Sequence, residues 1–399
     1  MNYLYQLFSV VGVGAISFAL SIFIARQAGA SNFGEYSTAL AIGSILAIGL
    51  DGGLRNLLTR ERTMASDHLS EYSTKLSQIA MGHCLMASLL ASIFCLIFIP
   101  NQLYLGLGII WCFWGAVTTQ YASAILRGNG LLKADSLWQL KQRVLTAFLI
   151  TITALLGYFE AWQLLLTWAF GATCANLFFK EGFRFKPIFK PLLTRDFKLY
   201  RTLLPLLWID LATTIYFRSD LILLKSFKIS DDDIGQYAAA YRIIEAVILM
   251  ASSISIIIFR KVRLLNEKCL LQKKFIIQSL LISTLFGLLG AFIIVWIANP
   301  LVQLTYGAQY AQAKTLLAVL GWMVTLLIPN LALTQAALAL NLEKSYALVA
   351  TLAAIGNVSL NLMYMPQYGI IAAAYTSIAT EVILMIGLCI AISRKLKDR

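Results

Sequence analysis

The sequence predicts an all-α integral membrane protein with twelve transmembrane helices in two pseudo-symmetric six-helix lobes. Three observations predict this fold class: repeated apolar runs, an uneven distribution of basic residues, and a repeat at half the chain length. The 399-residue chain is 59% hydrophobic and 13% charged, whereas a soluble domain has about 25% charged residues. The composition therefore excludes an ordinary soluble domain.

Twelve apolar runs approach the length of about 20 residues that a helix needs to cross a bilayer. Lipid offers no hydrogen-bond partners to the backbone, so each run is predicted to be a helix. The predicted spans are residues 4–25, 36–58, 76–98, 103–126, 144–159, 162–179, 203–224, 237–258, 275–298, 315–339, 346–365 and 369–392.

The basic residues predict the orientation of these spans. An even number of spans places both termini on one side, which we take to be the cytoplasm. The inner loops then hold 25 basic residues, the outer loops hold four, and three more lie within spans. This bias follows the positive-inside rule. It also accounts for the net charge of +13, so no nucleic-acid partner is predicted.

Two stretches 201 positions apart carry the same pattern. Phe33–Ala39 reads FGEYSTA, and Ile234–Ala240 reads IGQYAAA. A chance match in so apolar a chain is the alternative to a true repeat. Together with the span count, the repeat predicts parallel lobes at 1–190 and 191–399, joined by a basic, proline-containing inner loop at about 180–202. Two lobes about a central site are typical of a transporter.

Each copy of the repeat is expected to open the second helix of its lobe at the outer face. Gly34 and Gly235 would relax the turn into that helix. Tyr36 and Tyr237 are expected at the level of the lipid headgroups, where tyrosine is enriched.

The chain has no pattern of a metal, cofactor or disulfide site. The six cysteines are scattered without a CxxC, and the two histidines have no partner at ligand spacing. The cysteines therefore read as small packing residues. The nucleotide-binding pattern GxxxxGK is missing from the sequence. No metal and no cofactor are predicted.

Ionisable residues within the spans are the candidate functional residues. A charge at the bilayer centre costs at least about 2.5 kcal/mol, so such residues usually face a cavity or a partner. Because spans two and eight correspond in the repeat, these charges are expected to concentrate on helices that line a cleft between the lobes. They are Asp51 and Arg55 in span two, Asp210, Arg218 and Asp220 in span seven, Arg242 and Glu245 in span eight, and Glu381 in span twelve.

Three arginines near one cleft would suit a phosphate-bearing substrate, which guanidinium groups bind through two donors at once. Arg218 and Arg242 are the leading candidates, with Asp220 in the same cavity and Arg55 nearer the inner mouth. Arg218 and Asp220 are two positions apart and face opposite sides of a helix. One of them therefore needs a partner from another helix, an open cavity or an anionic ligand.

Two pairs have a purely structural alternative. The Asp51–Arg55 and Arg242–Glu245 spacings also fit neutralised pairs within one helix.

Energy coupling, if present, would use an ion gradient. The candidate coupling acids are Asp210, Glu381, Asp51 and Glu245. Asp210 and Glu381 have no basic residue within four positions, so they are ranked first as proton sites. A hydrogen-bonded structural carboxyl is the alternative for each.

Three stretches resemble the bacterial Wzx-type polysaccharide-biosynthesis flippases of the multidrug/oligosaccharidyl-lipid/polysaccharide exporter superfamily. The resemblance covers the whole chain in span number, and its motifs are more specific for the superfamily than for the substrate. The matching stretches are IARQAGASNFGEYSTALAI from Ile24, YFRSDLILLKSFKISDDDIGQYAAAYRIIEA from Tyr216, and YGAQYAQAKTLLAVLGW from Tyr306.

The resemblance implies an antiporter-like exporter fold and a non-enzymatic function. That function is the movement of undecaprenyl-diphosphate-linked oligosaccharides between leaflets of the bacterial inner membrane by alternating access, for O-antigen or another surface polysaccharide. It also implies polysaccharide polymerase and chain-length proteins as partners. Span one has no acidic residue, so no coupling carboxylate is carried over there.

Two other functions are the alternatives to a flippase: an ion-coupled drug or small-solute exporter, and a membrane-embedded enzyme. The short outer loops disfavour the enzyme.

The orientation can be tested by labelling single cysteines in a variant that lacks the native ones. Cysteines at Ser31, Asn101 and Asp232 are expected to react with an impermeant thiol reagent added outside the cell. Labelling at Ser136 and Lys268 instead would show that the predicted orientation is inverted.

Overall fold

The computed structural model describes residues 2–63, 69–183, 197–267 and 269–397. These residues are almost entirely α-helical, and no β-strand occurs among them. The helices are α1 Asn2–Asp51, α2 Leu54–Thr63, α3 Leu69–Phe98, α4 Leu103–Gly128, α5 Leu132–Leu155, α6 Ala161–Phe178, α7 Phe197–Ser226, α8 Asp231–Leu264, α9 Cys269–Thr305, α10 Ala311–Ala339 and α11 Glu343–Lys397.

The protein is a multi-pass membrane protein. Seven helical segments in the described ranges are long and apolar enough to cross a bilayer. Two of them, α1 and α11, contain a break at Gly29 (φ 80°) and Gly369 (φ 54°), a backbone conformation that favours glycine. These seven segments thus cover nine of the predicted spans. The other three predicted spans fall on α5, α6 and α7, and the total of twelve stays a prediction.

The described residues divide into two compact units. Unit 1 comprises Met1–Ala28 and Glu35–Leu211, and unit 2 comprises Gly29–Gly34 and Ala212–Arg399. The predicted lobe boundary at 190/191 lies outside the described residues, as does Lys268. The division at that boundary stays a prediction.

Each unit has its own buried core. In unit 1, Tyr121 and Trp138 are fully buried among aliphatic side chains of α2, α3 and α4. In unit 2, Leu340, Ala353 and Leu388 are fully buried where α10 and the two halves of α11 pack together. Cohesion within each unit therefore rests on apolar packing, and the exposed apolar side chains are left for lipid.

The two glycines of the repeat lie against each other within unit 2. A Cβ atom built on Gly34 would lie 1.9 Å from the carbonyl oxygen of Asp231, and one built on Gly235 would lie 1.9 Å from that of Ala30. No side chain fits at such a separation, so the two backbone segments can meet only where both residues are glycine. The prediction that these glycines lie in turns is wrong: both lie inside helices, α1 and α8, and the break in α1 is at Gly29.

The repeat tyrosines are buried in the protein, and their predicted position at the level of the lipid headgroups stays a prediction. The side chain of Tyr237 is 1% exposed, and its hydroxyl donates a hydrogen bond of 2.8 Å to the carboxylate of Asp220. Tyr36 is also buried, at 3% exposure. A buried acceptor at Asp220 holds Tyr237 in the interior, because a buried tyrosine hydroxyl needs a partner.

The glycine contact predicts a strong effect of one methyl group. Gly34→Ala should destabilise the protein by at least the 1–3 kcal/mol or so typical of overpacking, because its Cβ meets backbone and not a movable side chain. Gly49→Ala is the matched control, since a Cβ there meets nothing within 4 Å. Thermal unfolding in detergent measures both; equal melting temperatures for the two variants would contradict the contact.

Candidate functional site

Two arginines share one carboxylate in unit 2. Arg218 of α7 contacts Glu245 Oε1 through Nη1 at 2.6 Å. Arg242, one turn before Glu245 on α8, contacts Oε2 through its own Nη1 at 2.7 Å. The side chains remain partly exposed, at 28% for Arg218, 22% for Arg242 and 23% for Glu245. The trio of Arg218, Arg242 and Glu245 carries two positive charges and one negative charge, so its net positive charge suits an anion.

The trio resolves the question that the sequence left open for Arg218. The partner from another helix is Glu245 on α8. The predicted contact between Arg242 and Glu245 within one helix is also present. Sequence spacing revealed the second pair and not the first, because 27 positions separate Arg218 from Glu245.

Asp220 lies apart from these ion pairs, in a buried polar cluster with neutral donors. Its Oδ2 accepts hydrogen bonds from Tyr237 at 2.8 Å and Ser377 at 2.9 Å. Its Oδ1 accepts from the amide of Asn361 at 2.6 Å, and Asn361 also donates to Asn357 at 3.0 Å. Both asparagines link α11 to α7, since Asn357 accepts a hydrogen bond of 2.7 Å from Ser219.

The Asp220 cluster brings one carboxylate and several neutral oxygens to one buried place. Hard cations take ligands of this type. No group of three or more His, Cys, Asp or Glu side chains suited to a metal occurs within the described ranges. Asp220 is the one carboxylate of this cluster, and its described hydrogen-bond partners are neutral.

Glu381 occupies a second buried site in unit 2. It is 2% exposed and accepts a hydrogen bond from the hydroxyl of Tyr216. The amide of Asn330 donates to Glu381 Oε2 at 2.6 Å and to the Glu381 carbonyl oxygen at 2.9 Å. Asn330 follows Pro329, which lies inside α10. Both side-chain partners of Glu381 are neutral, so a proton could be gained there without breaking an ion pair.

In unit 1, the prediction that Asp51 and Arg55 lie on one face of a continuous helix is wrong. α1 ends at Asp51, and Gly52 (φ 58°) and Gly53 (φ 78°) break the chain before α2. Asp51 instead accepts a hydrogen bond of 3.0 Å from the backbone N–H of Arg55. This satisfies one of the amides in the first turn of α2, which have no partner within the helix.

The guanidinium of Arg55 turns to other residues of unit 1. It donates to the Gln120 side chain at 2.5 Å and lies 3.6 Å from Asp210 Oδ2. Asp210 thus has a basic partner 155 positions away in the chain. Of the two acids ranked first as proton sites, Asp210 is paired with a cation, whereas Glu381 accepts hydrogen bonds from neutral side chains.

Arg143 is not among the candidate functional residues predicted above, because the fifth predicted span begins at residue 144 and leaves Arg143 in an inner loop. The structure places it in the middle of α5, where its Nε donates to Ser17 at 2.7 Å and its guanidinium lies 4.7 Å from the centre of the Trp168 ring. Neighbouring basic and polar residues made the start of α5 resemble a loop. A polar helix start that continues into an apolar run was the signal available in the sequence.

Comparison with known proteins gives the family. The model of the polysaccharide biosynthesis protein family matches residues 2–262. The chain belongs to this family. A sequence comparison with curated proteins finds no match.

Solved structures show the same fold for this family member. The lipid II flippase MurJ in an inward closed conformation matches with a TM-score of 0.79 at 13% identity, over 99% of this chain and 89% of that one. An inward-facing multidrug resistance MATE transporter of the MOP superfamily has a TM-score of 0.67 at 14% identity, over 100% and 96%. A Vibrio cholerae MATE transporter has a TM-score of 0.66 at 13% identity, over 100% and 96%. Fold relatives of the chain are therefore transporters.

Proposed function

We propose that the protein is a flippase for undecaprenyl-diphosphate-linked oligosaccharides. It moves them by alternating access from the inner to the outer leaflet of the bacterial cytoplasmic membrane, with both of its termini in the cytoplasm. The product would serve O-antigen or another surface polysaccharide. Polysaccharide polymerase and chain-length proteins would be its functional partners.

One observation carries the proposal: Arg218 and Arg242 meet at one carboxylate on helices of a membrane protein. Guanidinium groups are the side chains best suited to bind phosphate, since their planar fork matches two oxygens. A diphosphate that crosses a bilayer needs such a site, because its charges cannot enter hydrocarbon unaided. Membership of the polysaccharide biosynthesis family supports a lipid-linked glycan as the remainder of the substrate.

Arg55 is a weaker candidate for the same role in unit 1. It lies at the start of α2 beside Asp210 and Gln120, and its side chain is 34% exposed. We propose that it contacts the anionic headgroup at an earlier stage of transport than Arg218 and Arg242.

An ion-coupled exporter of small cationic molecules is the second candidate. The buried carboxylates Asp220 and Glu381 favour it, since acids in a membrane interior suit cations. The similarity in fold to MATE transporters is compatible with it. The two candidates differ in the charge of the substrate, and the arginine pair favours an anion.

Substitution of both arginines tests the flippase proposal. Arg218→Ala and Arg242→Ala should each weaken binding of a prenyl diphosphate about ten- to a hundredfold, as expected for a lost charge-assisted hydrogen bond. In cells, surface polysaccharide should fall and lipid-linked units should accumulate in the inner leaflet. Lysine should restore function only in part, because it lacks the fork.

The matched control is Arg260→Ala, an exposed arginine on the same helix α8. It should leave export and binding unchanged. Normal export by both alanine variants, at normal protein levels in the membrane, would remove the arginine pair from the mechanism.

Energy coupling is proposed to use a proton at Glu381. Glu381→Gln should abolish the pH dependence of transport in vesicles, because the amide cannot exchange a proton. Asp210→Asn should retain the pH dependence, since the Asp210 carboxylate is paired with Arg55. Glu245 is likewise paired with Arg218 and Arg242, and Asp51 accepts a hydrogen bond from the backbone N–H of Arg55. Wild-type pH dependence in Glu381→Gln, or a rate that follows Na⁺ and not pH, would contradict this assignment.

A further inference from the structure

Glu245 contacts both arginines of the candidate substrate site at once, through one donor atom of each. Its two oxygens go to different guanidiniums, one to Arg218 and one to Arg242. Each contact uses a single Nη1 atom, and neither uses the paired donors with which a guanidinium binds a carboxylate or phosphate most strongly. Glu245 therefore does not occupy the two-donor geometry in which a guanidinium binds phosphate.

Charge compensation explains why a carboxylate lies there. Two guanidiniums in a membrane protein without a negative partner would be costly. Glu245 supplies that partner from α8 itself, with all three side chains between 22% and 28% exposed. Access by another anion requires that the protein does not fully cover these side chains, and their partial exposure meets that requirement.

We propose that Glu245 is an internal counter-ion that occupies Arg218 and Arg242 in the empty site and is displaced by the diphosphate of the substrate. This rests on the proposed flippase function and adds a residue that sets its specificity. A ligand must replace two ion pairs at once, so a dianion or higher charge can compete where a monoanion cannot. When the substrate leaves, the carboxylate returns to the arginines and lowers the barrier to release.

A purely structural role for Glu245 gives the opposite expectation. If Glu245 only positions the arginines, its removal misplaces them and weakens binding. If it competes with the substrate, its removal strengthens binding and slows release. The sign of the change in affinity therefore separates the two roles.

The experiment measures binding of a short-chain prenyl diphosphate, and of the methyl ester of the matching monophosphate as a monoanion, to the purified full-length protein in detergent. Glu245→Gln should bind the diphosphate about tenfold more tightly than wild type, and the ratio between the affinities for the diphosphate and for the monoanion should narrow. In reconstituted vesicles it should lower both the half-saturating concentration and the maximal rate. Glu343→Gln, an exposed acid at the start of α11, should change neither.

Glu245→Asp keeps the measurement decisive if the glutamine variant does not fold. Its carboxylate is one methylene shorter and cannot keep both contacts, so binding should tighten by a smaller factor. Diphosphate affinity that is unchanged or weaker in a folded Glu245 variant overturns the counter-ion role while the flippase proposal stands. A wild-type protein that binds no prenyl diphosphate overturns both.

Discussion

Ionised groups on the helices of a membrane protein need partners within the protein, and this constraint accounts for the described ion pairs. The hydrocarbon core provides neither water nor counter-ions, so a charge there faces a partner or a cavity. In unit 2, Glu245 pairs with Arg218 and Arg242, and the Asp220 carboxylate is surrounded by hydroxyl and amide donors. In unit 1, Arg55 lies beside Asp210. Each of these groups is satisfied within its own unit.

Different kinds of partner give the buried acids different capacities. Glu245 makes two short contacts with cations, which favour its carboxylate form. Glu381 accepts hydrogen bonds from Tyr216 and Asn330, and both of these are neutral. The first arrangement suits exchange of an anionic ligand, and the second suits exchange of a proton. The proposed substrate recognition and the proposed proton coupling would therefore use separate acids, on α8 and α11 of unit 2.

Much of the fold could be predicted because membrane helices follow local rules. Apolar length located the nine predicted spans that the seven membrane-crossing segments cover, and the three-residue spacing on α8 located the Arg242–Glu245 pair. Contacts between distant positions could not be predicted from one sequence. The partner of Arg55 lies 155 positions away at Asp210, and the contact of Gly34 with the start of α8 has no local signature. Gly52 and Gly53 were a visible signal, but two glycines alone do not fix whether a helix bends or ends.

Transport by the purified protein is the most direct test of the central claim, that the arginine pair carries a diphosphate-linked glycan across the bilayer. Vesicles containing the protein would receive a fluorescent prenyl-diphosphate oligosaccharide in both leaflets, and an impermeant quencher would report exchange between them. Complete quenching with the wild type, and quenching limited to the outer leaflet with the Arg218→Ala, Arg242→Ala double variant, is the expected result. Limited quenching with the wild type, together with uptake of a cationic dye by the same vesicles, would contradict it.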